Sequence, residues 1–314
     1  MRSLSRREAT SGVLPLVAML VAVTAWGAGN ILIKQTSADG LNVAFYRLWF
    51  GTALSLAILF AVRHRLTVRE LALSAPAGVA FGVNMVFFFT ALKITTVANA
   101  TLIGALQPAI VLLIAGPWFG ERVGRWEVGW TAVSILGVGI LIAGASSSPE
   151  WSPLGDGLAV LAVLLFTGYF VASKRIRESV ATVAYMAGVH LGAAIVVTPV
   201  ALVHGLQVSA LSTADWARIF VIVITSGVGA HMLVNWAHPY VKVSVSSVVV
   251  LLTPVVATVG AWVVLDESLT ALQVLGGLVT LAAIVAVTRR YRSPGAGVTE
   301  GPPVPEPISA GVKN

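Results

Sequence analysis

The stretch ALQPAIVLLIAGPWFGER, residues 105–122, sets a proline inside a long apolar run and an acid just past its end. In a helix interior, proline costs about 3 kcal/mol, because it lacks a backbone donor and crowds the carbonyl four residues back. The pattern returns as LLTPVVATVGAWVVLDES, residues 251–268. Pro108 precedes Glu121 by thirteen residues, and Pro254 precedes Glu267 by the same thirteen. A costly feature written twice at an offset of 146 (254 − 108) marks a duplicated unit. At that offset Ala91 also matches Ala237, Val97 matches Val243 and Leu106 matches Leu252. A nearby offset of 140 pairs Lys34 with Lys174, Val43 with Val183 and Ala44 with Ala184.

The rest of the chain is as apolar as these stretches. Of 314 residues, 57% are hydrophobic and 11% charged, and the mean hydropathy is +0.90. A soluble domain carries about 25% charged residues to clothe its surface, so this chain belongs in a lipid bilayer. The first apolar run, Val13 to Ile33, exceeds the roughly 7–15 residues of a signal peptide core. At about 1.5 Å per residue it can cross a hydrocarbon layer of about 30 Å. Further apolar segments follow, giving spans near 13–34, 41–62, 71–92, 96–119, 126–144, 156–173, 182–204, 217–237, 240–265 and 269–288.

The expected fold is therefore an all-α integral membrane protein of ten transmembrane helices. Residues 1–12 form a cytoplasmic N-terminal segment, 13–144 and 154–288 two five-helix units, and 293–314 a tail. That tail, rich in Pro and Gly, is expected to be disordered. Five is odd, so the two units lie in opposite directions across the membrane, as inverted repeats. Such repeats place a substrate site near the bilayer midplane, between the halves. Sixteen of the twenty Lys and Arg fall before span 1 or in the loops and tail after the even-numbered spans. That face is cytoplasmic by the positive-inside rule, and both termini lie there. The exceptions are Lys34, Arg47, Lys93 and Arg218.

This distribution also accounts for the net charge of +7 without nucleic acid; the expected partners are the bilayer and a small-molecule substrate. Oligomeric state stays open, with a monomer compatible. Cysteine is absent, which excludes disulfides, thiolate metal sites and thiol catalysis. The histidines at 64, 190, 204, 231 and 238 form no i, i+4 pair with an accompanying carboxylate, so neither a metal nor any other cofactor is expected.

The chain resembles the ten-helix EamA-type members of the drug/metabolite transporter superfamily. The resemblance covers residues 13 to 288. It rests on AWGAGNILIK (25–34), FYRLWF (45–50), ALKITTVANATLIGALQPAIVLLIAGPWFGER (91–122) and the later AHPYVKVSVSSVVVLLTPVVATVGAWVVLDES (237–268). Ala187 stands where the first half has Arg47, a departure from strict repetition. The resemblance implies movement of small metabolites, often outward, through a central cavity. Aromatic amino acids, which some members export, are the leading example.

Candidate site residues follow from polarity at depth. Pro108 and Pro254 free the carbonyls of Gly104 and Val250; they either bend helices around a cavity or are kinks satisfied by packing. Arg47 is the one formal charge well inside a span, roughly 9 Å from the outer end of its helix. It either binds a carboxylate or snorkels to the interface. Asn30, Asn84, Asn99, Gln107, His231 and Asn235, with Trp26, Tyr46 and Tyr169, are placed either to line the cavity or to cross-link helices. Glu121 and Glu267 are expected to cap the helices that follow them or to form loop ion pairs, and Gly78-x3-Gly82 and Gly188-x3-Gly192 to mark close helix packing.

No Asp or Glu lies in the middle of a span, which removes the usual proton relay. Alternating access without ion coupling is therefore expected, with a coupled mechanism through His190 or His231 as the alternative. One arginine is too few for a phosphate-rich ligand, and no buried acid awaits a cationic drug. A neutral or zwitterionic solute fits best. A membrane-embedded enzyme is the rival class, but no acid cluster or nucleophile–base pair is visible at shared depth.

Overall fold

The computed structural model describes residues 2–95, 97–144, 152–206, 211–265 and 269–292, the side chains of 2–12, 97–99, 101, 265 and 291–292 excepted. Among these residues are thirteen α-helices. They are α1 (Arg2–Gln35), α2 (Gly40–Ala61), α3 (Val68–Ile94), α4 (Val97–Gly104), α5 (Gln107–Phe119), α6 (Arg125–Ala143) and α7 (Pro153–Ile176). The second half continues with α8 (Thr182–His204), α9 (Thr213–Ile222), α10 (Ala230–Ala237), α11 (Val243–Val250), α12 (Leu252–Leu265) and α13 (Ala271–Arg292). Grouped by continuity they give ten apolar spans long enough to cross a membrane.

Polar residues at the loops start and stop these helices. Asp39 caps α2 by accepting the Asn42 N–H at 2.8 Å. Thr67 and Glu70 form a capping box on α3, and Ser212 and Asp215 do the same on α9. Each arrangement satisfies amides that a helix start leaves open. Gly120 ends α5 with φ +63°, a left-handed turn that suits glycine. At the other ends, Lys34 Nζ donates to the Leu92 carbonyl at 2.9 Å, and Lys93 Nζ to that of Thr36 at 2.7 Å.

The fourth and ninth spans depart from the continuous bent helices expected. Each is two helices. The chain leaves α4 through two i→i+3 bonds, from Ala105 N–H to Leu102 and Leu106 N–H to Ile103, and leaves α11 through one, from Leu251 N–H to Val248. Pro108 is then the second residue of α5 and Pro254 the third of α12. The first turn of a helix is where proline is tolerated, because its missing donor has no partner there anyway. The prolines start helices instead of bending them.

The eighth span is also interrupted. A π-helical segment, Val223–Gly229, joins α9 to α10. Gly29 on α1 faces it so closely that any added Cβ would meet the Ser226 side chain. Among the strongest packing pairs are α6 with α13, α3 with α7 and α8, α2 with α8, and α1 with α10 and α12. Gly78 and Gly192 lie at the crossing of α3 and α8.

Candidate functional site

Residues from both halves enclose a cavity of about 140 Å³. Its walls come from the last third of α1 (Trp26, Asn30, Ile33), from Arg47 on α2 and from Asn84, Met85, Phe88 and Phe89 on α3. Facing them are the first half of α7 (Ala159 to Phe166) and Ser226 and His231 of the eighth span. Gly104, Gln107, Val250, Thr253 and Pro254 complete it at the two helix breaks. The cavity thus lies toward the face that carries residues 36–39 and 152. Toward the opposite face the space is filled by an apolar cluster that includes Phe170, Val234, Val241, Val243 and Val245.

Arg47 is the dominant polar feature. It is 6% exposed, donates from Nη2 to the Ser226 carbonyl at 3.1 Å, contacts Met85 Sδ through Nη1, and stacks over Phe89 at 5.3 Å. Its Nε has no partner, and no carboxylate pairs with it among the described residues. The π-helical segment supplies its acceptor. A wide turn leaves carbonyls outside the normal ladder, and the Ser226 oxygen accepts from both Arg47 and the Trp26 indole, the latter at 3.1 Å.

His231 lines the cavity with its ring 4.9 Å from Trp26 and 4.7 Å from Phe81. Behind it, Tyr169 places its hydroxyl 3.4 Å from His231 Nδ1 and accepts from Asn235 Nδ2 at 2.9 Å. Asn235 also donates to the His231 carbonyl at 2.9 Å. Asn84 donates Nδ2 to the Ala162 carbonyl at 2.7 Å, and its Oδ1 has no partner. Neither amide atom of Gln107 is bonded.

Of the residues singled out from the sequence, Trp26, Asn30, Arg47, Asn84, Gln107, His231 and Pro254 thus border one space. Tyr169 and Asn235 support it from behind, and Pro108 lies one residue beyond the lining. Tyr46 is elsewhere: its ring packs on Trp216 at 4.9 Å and Phe45 at 5.3 Å, in a separate aromatic cluster. The Asn99 side chain lies outside the described residues, as does Glu267. Met85, Phe88, Phe89, Phe166, Ser226 and Thr253 also line the cavity without having been singled out by the sequence. In an apolar span nothing distinguishes a cavity-facing phenylalanine from a lipid-facing one, whereas a polar residue directly before each proline is a usable signal.

Of the two roles expected for Glu121, the structure has the ion pair, with Lys174, and not a cap on the helix that follows it. That helix, α6, is capped at Gly124, whose N–H donates to Glu127 Oε2 at 2.9 Å. Glu121 reaches the other half, accepting from Val243 N–H at 2.7 Å, Ser244 N–H at 3.2 Å and Ser244 Oγ at 2.8 Å. Lys174 Nζ lies 3.6 Å away and donates to the carbonyls of His238 and Val241. Nearby, Arg177 donates Nε to the Asn235 carbonyl at 2.9 Å. Burial lowers its pKa to about 10, which leaves it charged at neutral pH. His190 is held by Ser55 at 2.8 Å, and no carboxylate pairs with His190 or His231 among the described residues.

Ten membrane-length apolar spans around a cavity walled by both halves define a multi-span membrane protein. The chain belongs to the EamA-like transporter family, whose model matches it twice, at residues 13–143 and 153–289. It is 27% identical to a probable terminal-alkyne amino-acid exporter of Streptantibioticus cattleyicolor, over 87% of this chain and 93% of that one. It is 22% identical to the pseudopaline exporter of Pseudomonas aeruginosa, over 89% and 96% respectively. A crystal structure 19% identical in sequence matches with a TM-score of 0.71, covering 90% of this chain and 99% of the other, which shows the fold.

Proposed function

We propose that this chain exports small zwitterionic metabolites of the amino-acid type, aromatic ones included, by alternating access between two inverted five-helix repeats. Arg47 carries the reading. A buried guanidinium without a carboxylate partner is costly when the cavity is empty, and a substrate carboxylate would supply the missing anion through charge-assisted hydrogen bonds. Trp26, Phe88, Phe89 and Phe166 offer the apolar surface for a side chain. The named relatives, a probable terminal-alkyne amino-acid exporter and a pseudopaline exporter, support export of a small metabolite. The packing supports a two-fold relation between the halves, since exchanging them maps the α3–α7 pair onto α10–α1 and the α6–α13 and α2–α8 pairs onto themselves; five spans in each half make that relation an inversion.

The test is uptake into proteoliposomes. Radiolabelled L-phenylalanine is expected to enter saturably and to exchange with unlabelled substrate after an ionophore collapses the proton gradient, because no mid-depth carboxylate is available to couple the two. Strict dependence on the gradient would move the coupling role to His190 or His231. Failure of every amino acid tested to move would end the amino-acid reading.

Orientation completes the proposal: a cytoplasmic membrane, both termini inside, and the cavity toward the outside. The chain has no cysteine, so single replacements label cleanly. Arg65→Cys is expected to react only with reagents reaching the inside, and His204→Cys only with those outside. The reverse pattern would refute this topology.

The helix breaks give a third expectation. Alanine at position 108 or 254 restores a donor for the Gly104 or Val250 carbonyl and lets the two half-helices join. Each variant is expected to insert normally, since losing a compatible proline costs only about 0.4–1 kcal/mol through the unfolded chain, yet to lose most of its turnover as the cavity wall moves. Parent transport rates in both Pro108→Ala and Pro254→Ala would make the prolines packing features only.

A further inference from the structure

The polar atoms of the cavity divide by chemistry, and the division follows the sequence repeat. The offset of 146 that aligns the prolines also aligns Gln107 with Thr253 and Gly104 with Val250, and all four line the cavity. Pro108 and Pro254 have no N–H to donate to Gly104 and Val250, so each helix break withholds the usual donor from a cavity-lining carbonyl. Beside them, Gln107 is 1% exposed with both amide atoms unbonded, and Thr253 Oγ1 is buried and unbonded. Asn84 adds an acceptor whose identity is settled: its Nδ2 donates to Ala162, so the free atom is Oδ1.

The Arg47 guanidinium has only donors to offer. The breaks offer acceptors for a donor-only group: the carbonyls of Gly104 and Val250, which lack their usual proline-position donor, Gln107 Oε1 and Thr253 Oγ1, with Asn84 Oδ1 elsewhere on the same cavity wall. Buried polar groups left unsatisfied are costly. The group that satisfies several acceptors at one point is a primary ammonium, with three donors and no acceptor.

We propose that the paired helix breaks form the recognition site for the substrate's primary ammonium, with Gln107, Thr253 and Asn84 as its specificity-determining side chains. The proposal rests on the amino-acid reading of the cavity and adds to it a polarity: carboxylate toward Arg47, ammonium toward the breaks. A hydroxy acid, a deaminated acid or an N-acylated amino acid meets acceptors with too few donors to fill them. Sites built to hydrogen-bond a group reject analogues that lack it far more strongly than apolar pockets reject a missing methylene.

The experiment compares three probes on the full-length purified chain: L-phenylalanine, 3-phenylpropionate and N-acetyl-L-phenylalanine, each titrated against thermal unfolding in detergent. The parent is expected to prefer L-phenylalanine to both others by at least about tenfold in apparent Kd, each factor of ten being about 1.4 kcal/mol. Gln107→Leu and Asn84→Leu are expected to erase most of that preference while binding 3-phenylpropionate within about threefold of the parent. Thr253→Val is expected to act in the same direction but more weakly, and Gln107→Glu, which adds an anionic acceptor, to keep the preference. If the leucine variants bind all three probes worse by one common factor, the side chains shape the wall and the ammonium site is refuted. An unchanged preference in both leucine variants refutes it too, while leaving the amino-acid reading intact. A parent that binds none of the three overturns both.

Discussion

Arg47→Met is expected to stop transport and, at the same time, to raise the thermal stability of the empty protein. The two effects have one cause. In the cavity, the guanidinium has a carbonyl, a thioether and an aromatic face for company but no carboxylate. Holding a charge in low dielectric without a counter-charge costs several kcal/mol, and methionine fills a similar volume without that cost. Substrate, in contrast, loses the group that would neutralise its carboxylate. Removing one partner of a buried charged pair costs about 2–5 kcal/mol, which corresponds to roughly 30-fold to several thousand-fold in affinity. Arg47→Lys keeps the charge but not the planar pair of donors, so it should fall between methionine and parent in transport. Radiolabelled exchange and thermal unfolding on the same preparations check both directions. A methionine variant that melts lower and transports normally would make Arg47 a structural residue.

Arg47 also shows what a single sequence exposes. A formal charge in the interior of an apolar span stands out against every neighbour, and its depth follows from counting residues. Its partners do not stand out. The Ser226 carbonyl becomes available only because Val223–Gly229 winds as a π-helix, and a Ser-Gly-x-Gly run among apolar residues fits an ordinary helix equally well. The paired prolines are an intermediate case. Their repetition revealed the duplication and the position of the cavity, because proline is costly wherever a helix continues. Whether a helix bends at proline or restarts there depends on tertiary contacts, and here it restarts. Polar residues at Gln107 and Thr253, directly before each proline, are the local clue to a helix start. Tyr46 marks the limit on the other side: an amphipathic ring at suitable depth turned to Trp216 in a neighbouring helix, a choice that no periodicity in α2 encodes. Glu121 was legible as an acid at a helix end, but the helix it serves lies 122 residues further on.

That contact leads to the second large effect. Glu121→Gln is expected to loosen the end of the molecule opposite the cavity. The carboxylate is 9% exposed and accepts from the first two amides of α11 and from the Ser244 hydroxyl, where the helix dipole favours negative charge. Lys174, 8% exposed, is its counter-charge. Glutamine keeps the shape but turns an NH₂ toward groups that are themselves donors, and it leaves Lys174 buried without an anion. Breaking one side of a buried pair costs about 3–5 kcal/mol. The cost falls on the arrangement described here, because these bonds tie the turn after α5 to α7 and α11. A state in which α11 parts from that turn has given them up already. The substitution should therefore shift the population toward opening at this end. A cysteine at Val241, 1% exposed in the closed arrangement, reports it: maleimide labelling of Val241→Cys is expected to quicken by at least about tenfold when Glu121→Gln is added. Removing both charges, as in Glu121→Gln with Lys174→Met, should recover part of the protection, since no buried charge is then left unpaired. Equal labelling rates with and without Glu121→Gln, at an unchanged melting temperature, would show that Glu121 and Lys174 do not hold this end closed.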